Sequence, residues 1–199
     1  MALLTTMAGI RPRRVALHRW ALGLIGVALL GLATPILSAQ TEPSAEYKLK
    51  AVFLFNFAQF VEWPAWVFHT NDTPLVIGIL GDDPFGPYLD DLVKGEKIGD
   101  RRLVVQRYKR AEDIKDCHIL FISSSESGDL EDILAHLHGR NILTVGDTDS
   151  FTRRGGMVRF VTENGKIRLR INLEVATDSG LTISSKLLRA ATIVKMGKD

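Results

Sequence analysis

The stretch from Tyr47 to Pro64 constrains the fold of this chain more than any other. Phe53, Phe55, Phe57 and Phe60 fall within eight residues. Phe53, Phe55 and Phe57 alternate as strand residues would. The Ala, Leu, Lys and Gln around them, the length of the run, and Pro64 as a stop specify a helix instead. On that helix Tyr47, Leu54, Phe57, Ala58 and Val61 share one broad face. Lys48, Val52, Phe55, Gln59 and Glu62 form the opposite stripe. A helix apolar on nearly every side is covered on most of its surface. Either the remaining elements are built around it, or a partner covers part of it.

The segments that follow alternate in character. Trp63-Pro64-Ala65-Trp66 breaks the chain into a loop. Leu75 to Leu80 is short, β-branched and apolar throughout, as a fully buried strand is. Gly81 to Gly86 then leads into a helix through Leu89 and Val93. Leu103 to Gln106, Cys117 to Ile122 and Asn141 to Val145 are further strands, with Ser123-Ser124-Ser125 and a helix around Leu130 to His138 between the last two. Strands of this kind alternating with helices indicate a parallel sheet covered on both faces. The tail differs: Gly156 to Thr162 and Lys166 to Leu173 flank Asn164-Gly165, a two-residue hairpin signal. Ser184 or Ser185 caps a last helix with Leu187, Leu188, Ala191 and Val194 facing inward. The expected fold is α/β and three-layered, a mixed and mostly parallel sheet flanked by helices, with a C-terminal antiparallel hairpin.

Residues 1–39 read as an export signal. Arg11, Arg13, Arg14 and Arg19 form a basic region, Trp20 to Leu37 is apolar and uncharged, and Leu37-Ser38-Ala39 offers a cleavage site before Gln40. An uncleaved anchor is the alternative, since a span needs about 18 apolar residues; Gly23, Gly26, Gly31 and Pro35 argue for cleavage. Four of the 25 basic residues, and no acid, lie in 1–39, so the rest carries 21 basic against 23 acidic residues. That balance gives no basic field to attract nucleic acid or an anionic membrane. Residues 40–199 suffice for one domain with a single core. Cys117 is the only cysteine, so an internal disulfide is excluded; it begins an apolar run and reads as a small buried hydrophobe.

The opening helix also carries a resemblance. Lys50, Ala51, Phe53, Leu54, Asn56, Phe57, Phe60, Val61, Glu62, Trp63 and Pro64 resemble the signature of the YfiR-like family of secreted bacterial proteins. Gly81 to Gly86, Cys117 to Ser123, Gly155-Gly156-Met157, Ile171-Asn172-Leu173 and Ser184 to Leu188 resemble later blocks of the same family, in the same order. The resemblance implies a non-catalytic periplasmic repressor without a cofactor. It would bind the periplasmic region of an inner-membrane diguanylate cyclase, or of another sensor, and so control cyclic-di-GMP signalling. It further implies relief by an outer-membrane lipoprotein, and a homodimer. Many relatives carry more cysteines, and this chain departs from them.

No catalytic set stands out from the residues. Asp82-Asp83 is similar to the acidic pair that holds Mg²⁺ in phospho-receiver domains, but the middle strand ends in Ser123 rather than an Asp acceptor. The glycines match no phosphate-loop spacing. His136 and His138 point to different helix faces, as do His118 and Cys117 on their strand, so no zinc site is expected. An exported hydrolase would need a base beside Ser123 to Ser125 that the sequence does not supply. Two binding candidates remain. An open α/β sheet binds ligands beyond the carboxyl ends of its strands, which brings Asp82, Asp83, Ser123, Ser124 and Asp147 forward as a crevice for a ligand-sensing module. Val52, Phe55, Gln59, Trp63 and Trp66 are the candidate partner surface, because aromatic residues dominate interface energies. Phe55 and Trp63 as plain core is the alternative. Arg159, Arg168 and Arg170 read as a solvent-facing sheet surface, or one that meets an acidic partner.

Overall fold

The computed structural model describes residues 42–70, 72–195 and 197. The export segment expected at 1–39 lies outside the described residues. Helix α1 (Ala45–Phe60) begins where the Ser44 side chain accepts the Tyr47 N–H. Then follow β1 (Val61–Glu62), β2 (Leu75–Leu80), α2 (Pro87–Val93), β3 (Lys97–Ile98), β4 (Arg101–Tyr108), β5 (Ile119–Ile122) and α3 (Leu130–Leu137). The remainder is β6 (Leu143–Gly146), β7 (Val158–Glu163), β8 (Lys166–Asn172), α4 (Leu173–Asp178), β9 (Thr182–Ile183), α5 (Ser185–Arg189) and β10 (Ala191–Val194).

Eight strands form one sheet in the order β10-β8-β7-β6-β5-β2-β4-β3. Its neighbours are parallel except β7–β8 and β3–β4. Alternate residues of the central strands enter two separate apolar clusters, as period-two geometry requires. Ile77, Ile79, Ile119 and Phe121 pack with Ala51, Leu54 and Phe57 of α1 on one face. Leu80, Leu120 and Ile122 pack with Leu130, Ile133 and Leu137 of α3 on the other. This is the three-layered, mostly parallel architecture expected. Asn164 (φ 50°) and Gly165 (φ 72°) make the expected left-handed turn between β7 and β8.

Three elements differ from expectation. Helix α1 stops at Phe60 rather than running to Pro64, because Val61 and Glu62 pair antiparallel with Ile183 and Thr182. The last helix is one turn long: Ser184 caps it, accepting from Leu187 N–H, but Ala191 to Val194 leave it to pair parallel with Leu169 to Asn172. Thr192, Ile193 and Val194 are β-branched and suit that edge strand better than a helix. Strand β8 ends at Asn172, whose Oδ1 accepts from Val175 N–H and starts the unforeseen helix α4. Cys117 is buried as expected, with burial pushing its thiol up to about 12.

Candidate functional site

The first site lies at the carboxyl end of the sheet, under the opening turns of α1. Lys50 is only 3 % exposed although it carries an ammonium. A buried charge needs partners, and it has two: Glu46 one turn earlier at 2.7 Å, and Asp147 just beyond β6 at 2.6 Å. The Tyr47 hydroxyl also donates to Asp147, at 3.0 Å. Arg159 of β7 is buried too and pairs with Asp149. Thr162 donates to Glu46. The Lys50 hydrogen bond holds the Glu46 carboxyl below its ordinary range. Burial, and then the Asp147 charge, push the Tyr47 phenol up to about 12. These groups and Ser124 line a polar cavity of about 390 Å³.

The five crevice residues expected from the sequence separate here. Ser124 and Asp147 line the cavity. Asp83 is spent on structure: its Oδ1 accepts from Phe85 and Gly86 N–H, and its Oδ2 accepts from Arg107 at 2.7 Å. Asp82 is exposed, and its backbone N–H donates to Ser125 Oγ at 3.0 Å. Ser123 is buried, its Oγ accepting from Ser125 N–H. The loops after β2 and β5 thus close on each other where strand order reverses. A Cβ on Gly81 would lie 2.4 Å from Ser125 Oγ, so the two loops are in close contact at that point. The opening falls instead beside β6 and β7. Arg159 is a wall of it, a correction to its placement on a solvent-facing surface; Arg168 is exposed as expected. Among the described residues, no three His, Cys, Asp or Glu group as a metal site would.

The second site is the aromatic corner that follows α1, at the amino end of the central strands. Trp63 Nε1 donates to the His118 carbonyl at 3.2 Å, and its ring meets the imidazole edge-on at 6.0 Å. Phe68 stacks on the imidazole at 4.7 Å, and the Arg101 guanidinium sits 4.0 Å over Phe68. His118 Nδ1 accepts from Val76 N–H. Burial, helped by Arg101 and opposed by Asp116, pulls the His118 pKa down to about 4. Trp63 is therefore an anchored, half-buried residue, while Trp66 is 74 % exposed. Along α1, Gln59 is exposed, and Val52 and Phe55 are half-buried, Phe55 against the core. Sequence reasoning missed Lys50, Tyr47 and His118 as site residues. Its one usable signal was a lysine inside an apolar helix, four residues after Glu46.

The family profile described as YfiR/HmsC-like matches residues 47–192. The chain belongs to this family. The match takes in nearly all of α1, the aromatic corner, and the large sheet from β2 to the first residues of β10. At the level of the family, the match supports a regulatory protein in the setting of cyclic-di-GMP signalling. No curated protein matches the chain. Among solved structures it is similar to a conserved domain protein of Vibrio cholerae O1 biovar El Tor, at 14 % identity and a TM-score of 0.48. That likeness covers 77 % of this chain and 61 % of the other. It is also similar to an ABC domain from Streptococcus pneumoniae solved in complex with L-Trp, at 11 % identity and a TM-score of 0.43. There it covers 60 % of this chain and 55 % of the other. The chain thus spans less than two thirds of either, and no functional argument follows from them.

Proposed function

We propose that this YfiR-like protein is a non-catalytic periplasmic regulator that binds and represses the periplasmic region of an inner-membrane diguanylate cyclase. The observation that carries the reading is the family match across 47–192. The corner supports it physically. Trp66 presents a large aromatic surface to solvent beside the anchored Trp63, and exposed aromatics on a rigid base are the usual anchors of protein interfaces. Val52, Phe55 and Gln59 extend the surface along α1. In this reading the protein acts as a homodimer, and an outer-membrane lipoprotein relieves repression. The test is affinity capture of the tagged protein from its native envelope, with mass spectrometry of the retained membrane proteins. Recovery of a diguanylate cyclase, lost on Trp66→Ala, is the expected result. Retention of no receptor by folded protein would sink the reading.

A second reading, a ligand-sensing module, is favoured by the polar cavity alone. Ser124, Asp147, Lys50 and Arg159 converge there, and a ligand that binds one conformation better than another biases partner affinity. A screen of small metabolites by thermal shift tests it. A hit abolished by Ser124→Leu supports the cavity, and an unaltered hit excludes it.

A further inference from the structure

A second cavity, of about 250 Å³, opens at the opposite end of the sheet, and His118, Trp66 and Arg140 are in its wall. The imidazole of His118 is 2 % exposed. Its Nδ1 accepts the Val76 N–H at 3.1 Å, so in the neutral ring the proton sits on Nε2. That Nε2–H finds no acceptor among the described residues. Buried donors are nearly always satisfied, so one that is not asks for an explanation. Stacking by Phe68 and the edge contact with Trp63 hold the ring in place. The donor is thus preorganised.

The surroundings define what would accept from it. Lys115 and Arg140 line the cavity against a single carboxylate, Asp116. Arg140 is fixed by donating Nη2 to the carbonyls of Ile114 and Lys115, at 2.7 and 3.0 Å. Those bonds do not consume its other N–H groups. Val67, Ile142 and the indole of Trp66 supply apolar wall. Drug-sized ligands occupy roughly 300–1,000 Å³, so this space suits a smaller molecule.

We propose that this cavity binds a small organic carboxylate, one oxygen accepting from His118 Nε2–H, the charge held by Arg140 and Lys115, and the apolar remainder lying against Trp66. An uncharged imidazole donor suits the task, because burial keeps the ring neutral near pH 7 and the site then needs no counter-ion of its own. The proposal is separate from the regulatory reading and requires no partner protein.

Benzoate is the probe, with benzamide as its uncharged counterpart, each titrated at constant ionic strength into the purified protein. The imidazole signals of His118 and the indole N–H signal of Trp66 are followed by NMR. The expected result is a saturable shift of both with benzoate, and binding of benzamide weaker by roughly tenfold or more, since a hydrogen bond to a charged group is the stronger kind. His118→Phe should abolish the benzoate response. As that variant also removes the acceptor for Val76, Lys115→Gln is the second variant, exposed and outside the core, and it should weaken benzoate but not benzamide. An unmoved His118 signal would overturn the proposal. Equal binding of the two probes would overturn it as well.

Discussion

The two ends of the sheet bury polar side chains by opposite means. At the carboxyl end, the Lys50 side chain is buried under α1 and is paired with both Glu46 and Asp147. At the amino end, His118 has no carboxylate among the described residues within hydrogen-bonding reach and gives up its charge instead, its pKa falling to about 4. An ammonium cannot lose its proton as cheaply as an imidazole can, so the first solution requires partners and the second requires only a tautomer. The first end is therefore tied to an ion network, and the second is sensitive to pH.

The largest expected effect tests the network. Asp147→Ala leaves the Lys50 ammonium buried with only Glu46, whose side chain is 41 % exposed. Breaking one partner of a buried pair costs about 3–5 kcal/mol, to be read from the urea midpoint. The double variant Lys50→Met with Asp147→Leu should recover most of that loss, because apolar groups replace both charges. A loss under about 1 kcal/mol for Asp147→Ala would be the behaviour of an exposed pair, and would erase the contrast between the two ends.

Next comes pH. His118 has a folded pKa of about 4 against 6.5 for the free side chain. Between those values the unfolded chain binds a proton that the folded protein does not, so stability rises with pH across the window. It is complete above pH 6.5 and falls as pH drops toward 4, by on the order of 3 kcal/mol in all. Glu46, whose pKa is lowered by Lys50, acts in the same direction but only below its ordinary value of 4.5. The slope of stability between about pH 5 and 6.5 therefore isolates the imidazole. His118→Phe should flatten it, and Asp147→Ala should leave it unchanged. A slope that survives His118→Phe would place the pH sensitivity elsewhere.

The contrast also shows what the sequence could reveal. Helix α1, strands β2, β4, β5 and β6 and the hairpin turn were legible because their signals are local: an apolar run, a Pro stop, an Asn-Gly pair. Strand β10 was not, since its partner β8 decides whether Thr192 to Val194 extend or coil. The sequence pointed to the carboxyl end of the sheet, and a polar cavity lies there, but beside other loops than Asp82 and Ser123 suggested. Asp83 is taken by its own turn and by Arg107, and Lys50 meets Asp147 across 97 residues. His118 looked like one more strand residue. Its acceptor role depends on Val76, 42 residues earlier, and no short-range pattern encodes that.

A smaller effect sharpens the carboxyl end further. Gly146 closes β6 just before Asp147, and a Cβ there would lie 2.5 Å from the Phe151 ring. Gly146→Ala should cost about 1–3 kcal/mol through overpacking. It should also move Asp147 away from Tyr47, so the phenol would titrate below its present value of about 12. Loss of stability with an unchanged Tyr47 titration would mean that Phe151 yields and the network does not.

The smallest expected change in stability is at Trp66, and it separates partner recognition from folding at the amino end. Trp63 and Trp66 are three residues apart, yet one is pinned to the His118 carbonyl and the other is 74 % exposed. Trp66→Ala should therefore shift stability by no more than about 0.5 kcal/mol, as exposed substitutions do. Trp63→Ala removes an anchored aromatic and should cost about 3 kcal/mol. If the corner is the partner surface, Trp66→Ala should still weaken capture of the membrane client by about 2 kcal/mol or more, roughly 30-fold. Phe55→Asp distinguishes the rest of that surface, since soluble, folded protein that fails to bind makes Phe55 part of it. Loss of soluble protein instead assigns Phe55 to the core under α1, and the partner surface contracts to the corner around Trp66.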